Sequence, residues 1–203
     1  MRALDERELS QRSIVLFTAD HGESLGEGDY WFAHGDRLDE ALVRVPFLLR
    51  VPGLAPARRY DIAGLVDVFP TLVRLAAAAP AAADLPGRDL LATDARATDS
   101  VPYLATLGAG GPTRFGIVAD GHKLVLTRED QGWQQELYRL GYEDENLVDS
   151  DPERARELRE RLAKLRLDLR PRAPTLRQTL SEQDRQNLRA LGYIEAPETT
   201  HSD

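Results

Sequence analysis

The sequence predicts an α/β protein in which apolar strands of the parallel-sheet type come first and a small antiparallel sheet with a helix follows. Three observations carry this reading. Residues 13–18 and 45–51 are short, β-rich apolar runs, the pattern of strands buried on both faces. Short candidate strands with an Asp-Gly turn begin after residue 100. Ala155, Leu158, Leu162, Leu165 and Leu169 then recur at helical spacing. A chain of 203 residues can bury a core without disulfides, and 42% hydrophobic content argues against general disorder.

Taken in order, residues 4–12 read as the polar end of a helix. Residues 13–18 form the first strand, and Ala19-Asp20-His21-Gly22-Glu23 lies at its C-terminal end. The Gly- and Asp-rich stretch to Gly35 reads as a loop, residues 38–43 as a short helix, and residues 45–51 as a strand stopped by Pro52-Gly53. Asp67 is placed to cap a helix running to about Ala77, with Phe69, Leu72, Val73 and Ala76 on its apolar face. Pro70 is tolerable there because it falls in the first turn. The Ala/Pro/Asp-rich stretch 78–100 reads as a surface connection.

Residues 101–107, 114–119, 123–127 and 136–140 are short strands, and Ala119-Asp120-Gly121-His122 has the chemistry of a tight hairpin. Asp151 and Pro152 open a helix as cap and first residue, and Pro171 and Pro174 end it. Ser181 and Asp184 form a capping pair for a last helix ending near Gly192, and the tail from Glu195 is polar. The chain thus divides at about residues 100 and 170.

Charge and composition exclude several functions. The net charge of −8 and the lack of a basic tract argue against nucleic acid as the main partner. The absence of cysteine excludes disulfides, thiol nucleophiles and zinc–thiolate or iron–sulfur sites. The charged start has no signal-peptide stretch, and no apolar run reaches membrane-spanning length. Localisation stays open.

The chemistry-bearing residues gather early. Ligands in open α/β sheets bind beyond the carboxyl ends of the strands. Asp20 and His21 stand at such an end, and a carboxylate and an imidazole there can share one metal ion. Gly22 would let the backbone turn sharply beside them. The metal would polarise a phosphoryl or sulfuryl oxygen. His34, past the loop, can return to the same rim to contact an anionic substrate or protonate a leaving group. On spacing alone, a capping Asp20 and two packed or solvated histidines are the commoner outcome.

The acidic residues Glu23, Glu27, Asp29, Asp36, Asp39 and Glu40 lack calcium-loop spacing and read as solvated charge. Arg58-Arg59, Arg88 and His122-Lys123 could contact an anion but read as solvated basic residues. Trp31 and Trp133 could stack on a substrate, although packing is the commoner fate of tryptophan.

Three blocks in fixed order carry a family resemblance: Phe17-Thr18-Ala19-Asp20-His21-Gly22-Glu23-Ser24-Leu25-Gly26-Glu27, then Trp31-Phe32-Ala33-His34-Gly35, then Asp39-Glu40-Ala41-Leu42-Val43-Arg44-Val45-Pro46-Phe47. They resemble the C-terminal part of the sulfatase family, within the alkaline phosphatase superfamily. Asp67-Val68-Phe69-Pro70-Thr71-Leu72 resembles the helix that follows. Gly121-His122-Lys123-Leu124, Glu136-Leu137-Tyr138-Arg139-Leu140 and Asn146-Leu147 resemble the small C-terminal subdomain. Ala190-Leu191-Gly192-Tyr193 resembles a tail seen in some bacterial members.

The resemblance implies an alkaline-phosphatase-like, mainly parallel sheet with flanking helices in 1–100. It implies a small antiparallel sheet and helix in 101–170 and a tail with a short helix in 171–203. It implies hydrolysis of sulfate esters. Asp20 and His21 would be metal ligands, and His34 would be the catalytic contact to the anionic group. The implied cofactor is one divalent metal ion, calcium first, with manganese or zinc as alternatives because Asp-His variants occur among phosphodiesterase and headgroup-transferase relatives. The substrate would be a sulfate or phosphate ester.

The chain also departs from the family. Its members carry a nucleophile near the N-terminus, in a C-x-P-x-R or S-x-P-x-R context or as a Thr or Ser, and none is read here. Ser100-Val101-Pro102-Tyr103-Leu104 lacks the Arg and lies downstream of the metal block. The first pair of metal ligands is also absent. The expectation is a C-terminal fragment of a longer hydrolase, inactive alone, whose partner is the missing N-terminal part of the same domain. The alternative is a non-catalytic partner-binding or vestigial domain, docking by an exposed strand edge.

Overall fold

The computed structural model describes residues 2–77, 87–92, 103–106, 113–168 and 181–190. Two compact units are distinguishable, residues 1–166 and 167–203. The first opens with α1 (Arg2–Asp5) and a 3-10 turn at Ser10–Arg12. The expected strand at 13–18 is the shorter β1 (Val15–Phe17). A small hairpin follows, β2 (Ser24–Leu25) and β3 (Trp31–Ala33), where a loop was expected. Next come α2 (Glu40–Val43), β4 (Leu48–Arg50) and α3 (Val68–Ala77).

β1 pairs with β4, and the pairing is antiparallel. Phe17 faces Leu48 across the ladder, and the two side chains are 61% and 60% exposed. The strand is therefore not covered on both faces, as its apolar run suggested. All strand pairings among the described residues are antiparallel.

The buried side of α3 also differs from expectation. Phe69 is exposed, while Asp67, Pro70 and Thr71 are buried. Asp67 closes a 3-10 turn, Leu65–Asp67, ahead of the helix. Its carboxylate accepts the Gly64 N–H at 3.0 Å and the Arg88 N–H at 2.9 Å. The Thr71 hydroxyl donates to the Asp67 carbonyl at 2.6 Å and accepts the Leu90 N–H at 3.0 Å. Hydrogen bonds to the 87–92 segment thus choose which side of α3 turns inward. Buried polar groups must be paired, and that demand outweighs the apolar stripe.

The rest of the first unit is a meander of β5 (Tyr103–Thr106), β6 (Thr113–Ala119), β7 (His122–Glu129) and β8 (Gly132–Arg139), followed by α4 (Pro152–Asp168). The β6–β7 turn is tight because Asp120 and Gly121 both take positive φ, 50° and 73°. That is the backbone of a type I′ hairpin, and Asp-Gly supplies it cheaply.

Ile117, Ala119, Leu124 and Leu137 point to one face of the sheet and meet Ala155, Leu158 and Leu162 of α4. Each fully buried leucine contributes about 1.5–3 kcal/mol. As expected, Asp151 caps α4, accepting the Arg154 N–H at 3.1 Å, with Pro152 first in the helix.

The opposite face of the sheet is also buried. Val118, Lys123, Val125 and Thr127 lie there, with exposures of 1–6%. Polar contacts join this face to residues 36–40. Helix packing on one face was legible in the sequence; cover on the second was not.

In the second unit, α5 (Glu182–Ala190) begins with the expected capping pair. The Asp184 N–H donates to the Ser181 hydroxyl at 3.1 Å, and the Ser181 N–H donates to the Asp184 carboxylate at 3.1 Å. Leu169, Pro171, Pro174, Gly192, the tail from Glu195 and the Ser100-Val101-Pro102 stretch lie outside the described residues.

Candidate metal and substrate site

Asp20 and His21 directly follow β1, and α2 positions them. The Gly22 N–H donates to the Leu42 carbonyl at 2.7 Å. A Cβ on Gly22 would sit 1.9 Å from the Ala41 carbonyl oxygen. Gly22 is needed because two backbones nearly touch, and its φ is not positive, so the turn expected there is not the reason. Leu38 and Leu42, 5% and 3% exposed, anchor this segment.

The His21 ring is fixed by two neighbours. Its Nδ1 lies 2.8 Å from the Gly22 carbonyl oxygen. A carbonyl can only accept, so Nδ1 carries the proton. In the neutral ring, Nε2 then keeps its lone pair, and it sits 3.9 Å from the Asp20 carboxylate. His34 returns after the β2–β3 hairpin and stacks on His21, with ring centroids 4.3 Å apart and planes 20° from parallel. The three side chains gather at the strand's end. The Asp20 side chain is 80% exposed and that of His21 37%.

This arrangement fits part of a metal site. Metal-binding imidazoles commonly donate their second ring N–H to a carbonyl or carboxylate, which fixes the tautomer. The Gly22 carbonyl does that here, leaving His21 Nε2 and the Asp20 carboxylate as two neighbouring donors. Among the described residues, no group of three or more His, Asp or Glu side chains could hold a metal ion. The pair would supply two donors of a larger set.

Most of the nearby acidic residues are engaged within the chain and are not simply solvated. Glu27 accepts the Leu25 N–H at 2.7 Å and the Ser24 hydroxyl at 3.1 Å. Those contacts and backbone hydrogen bonds hold its carboxyl below the usual range. Asp36 accepts the Tyr30 hydroxyl. Burial and that carboxylate push the Tyr30 phenol up to about 12. Asp39 pairs with Arg37 at 2.7 Å, yet burial pushes its carboxyl above the usual range. Glu40 lies 3.8 Å from both Lys123 and Arg44.

The basic candidates are likewise used internally. Arg59 pairs with Asp61, Arg88 donates to the Ile62 carbonyl at 2.7 Å, and His122 contacts the Asp120 carbonyl at 2.9 Å. Lys123, read as solvated, is 1% exposed. Trp31 and Phe32 form an exposed pair with centroids 6.1 Å apart. Phe32 has a φ of 47°, a strained value for a bulky residue. Trp133 packs against Phe115 at 5.9 Å.

One pattern was overlooked in the sequence. Ser150-Asp151-Pro152-Glu153-Arg154 has S-x-P-x-R spacing. The structure uses it to start α4. The Ser150 hydroxyl donates to the Leu147 carbonyl at 3.3 Å, Asp151 is the cap, and Arg154 pairs with Glu157 at 2.7 Å. α4 packs on the sheet face opposite residues 36–40, so the pattern does not join the histidines.

Comparison with known proteins bears on the same segment. Residues 1–78 match the sulfatase family model. Choline-sulfatase of Rhizobium meliloti is 39% identical over 64 residues, which cover 32% of this chain and 12% of that protein. Steryl-sulfatase of Mus musculus is 39% identical over 105 residues, covering 45% and 17%. Arylsulfatase K of Gallus gallus is 32% identical over 147 residues, covering 68% and 26%. The matched stretches thus span from 12% to 26% of these relatives' lengths.

Among solved structures, a candidate sulfatase from Bacteroides fragilis superposes with a TM-score of 0.65 at 19% identity, covering 81% of this chain and 37% of that one. Another, from Bacteroides thetaiotaomicron, gives 0.60 at 21%, covering 85% and 41%. These likenesses show the alkaline-phosphatase-like α/β fold.

Proposed function

Because this chain belongs to the sulfatase family, we propose that it carries part of the metal and substrate site of a sulfuric ester hydrolase. The observation that supports this most directly is the meeting of Asp20, His21 and His34 at the end of β1, inside the family-matched segment. The Asp20 carboxylate and His21 Nε2 would hold one divalent cation. The carboxylate suits calcium, and the imidazole also admits manganese or zinc. The ion, when bound, supplies Lewis-acid polarisation of a sulfuryl oxygen.

The chain's own residues do the rest. The Gly22 carbonyl holds the His21 Nδ1 proton and so presents Nε2 beside Asp20. His34, stacked on His21 at the same strand end, would donate a hydrogen bond to the anionic ester group. The nucleophile and the remaining ligands would come from a complementary segment of the same domain. The 203-residue chain alone turns over no sulfate ester.

Calorimetric titration with Ca2+, Mn2+ and Zn2+ tests the site. The expected result is binding of at least one ion that is lost in Asp20→Ala; no binding, or unchanged binding in the variant, overturns the assignment. Steady cleavage of an aryl sulfate by the purified chain would overturn its inactivity alone. A phosphate diester hydrolase or headgroup transferase is the second reading. His21 as the partner of Asp20 favours it, and the same assays on an aryl phosphate diester distinguish it.

A further inference from the structure

The sheet and the histidines are joined by a polar path that neither the family comparison nor the proposed chemistry uses. Between His34 and α2, three backbone groups are held from behind. Arg114 of β6 donates to the Asp36 carbonyl. Lys123 of β7 donates through Nζ to the Leu38 carbonyl at 2.7 Å and pairs with Glu143. Glu143, in its second contact, accepts the Glu40 N–H at 2.7 Å. The path continues through α2. The Leu42 carbonyl holds the Gly22 N–H, and Gly22 is pressed against the Ala41 carbonyl. One end therefore lies two residues from His34 and the other beside His21.

We infer that Lys123, Glu143 and Arg114 are positioning residues, which hold residues 36–40 so that His34 stacks on His21 at the site. The inference rests on the reading of Asp20, His21 and His34 as that site. A buried lysine is a poor choice for stability alone, because apolar residues of similar volume commonly serve as well or better. What the ion pair supplies is direction. An ammonium and a carboxylate can bond only to correctly placed carbonyl and N–H groups, so the segment sits in one register. Leucine packing would permit several.

The test uses the whole 203-residue chain without metal. In the wild type, nuclear Overhauser cross-peaks between the His21 and His34 rings are expected. The double variant Lys123→Met/Glu143→Leu keeps the volume and removes the ties to Leu38 and Glu40. A cooperative melt with loss of those cross-peaks is expected. Glu143→Gln keeps an acceptor for the Glu40 N–H and should retain them.

Persistence of the cross-peaks in a folded double variant overturns the inference. If the double variant does not fold, Arg114→Met removes the tie to the Asp36 carbonyl and leaves the Lys123–Glu143 pair in place. Weakened cross-peaks then support the inference, and unchanged ones overturn it. A Mn2+ titration of the wild type separates the two readings. A wild type that binds no metal, together with a variant that loses the cross-peaks, refutes the functional reading and leaves the positioning intact.

Discussion

Residues 2–77 and 113–166 lie in one compact unit but are built differently. In the later region, the sheet is covered on both faces, and Ile117, Leu124, Leu137, Leu158 and Leu162 are at most 1% exposed. In the earlier region, few large apolar side chains are fully buried, and Phe17, Leu25, Trp31, Phe32, Leu48 and Phe69 are exposed. Its buried leucines, Leu38 and Leu42, lie in the segment tied to the sheet. The sheet and α4 form a core of their own, whereas the region with the candidate site is tied to that sheet through residues 36–40. The region that holds the candidate site is not the region with the buried apolar core.

The largest expected effect lies in the later region. Leu158→Ala should cost about 2–5 kcal/mol, the range for a fully buried leucine, read as a lowered urea midpoint. Lys123→Met should come next, at about 3 kcal/mol. That is the lower end for breaking a buried ion pair, because Glu143 is a quarter exposed. A cost near zero would mean that the two regions are not joined through this pair.

Gly22→Ala should follow at about 1–3 kcal/mol, the usual cost of overpacking. It should also displace Asp20 and His21, read as loss of the His21–His34 cross-peaks. Unchanged cross-peaks would show that α2 does not hold the site.

Asp39, beside the tie points, gives a pH-dependent readout. Burial raises its folded pKa above the unfolded value of about 3.9. A raised carboxyl binds its proton more tightly in the folded state. Its contribution is therefore fullest in acid, below the unfolded value, and is lost as pH rises through the raised one. The stability difference between wild type and Asp39→Asn, followed by urea melts across that window, should shift against the wild type as pH rises. A flat difference would mean that burial of Asp39 does not matter.

The smallest effect should be that of Phe17→Ser, within about 0.5 kcal/mol, as for exposed positions generally. A cost matching that of Leu158→Ala would break the comparison between the two regions.

What could be read from the chain was local. The Asp-Gly hairpin, the Asp151-Pro152 helix start, the α4 stripe from Ala155 to Leu162 and the Ser181–Asp184 cap all depend on neighbours within a few residues, and the structure has each of them. The Asp-His block after β1 was legible for the same reason. The inward side of α3 was not legible, because Asp67 and Thr71 answer to Arg88 and Leu90 beyond the helix. Lys123 looked like surface charge because its partners, Leu38 and Glu143, lie 85 and 20 residues away. The S-x-P-x-R spacing at Ser150 shows the converse: a short pattern can be filled entirely by the needs of a helix start.

The sequence by itself determined the hairpin turn of the later sheet, the helix starts at Asp151 and Ser181, and the residue types present at the candidate site. These follow from backbone preference and side-chain chemistry, which act over a few residues. Tertiary structure alone decided that His34 lies on His21, that β1 runs antiparallel to β4, and that a lysine is buried behind the site. Each of these requires groups distant in the chain to meet. That meeting is set by the balance of burial and hydrogen-bond pairing over the whole unit, which no short window of sequence contains.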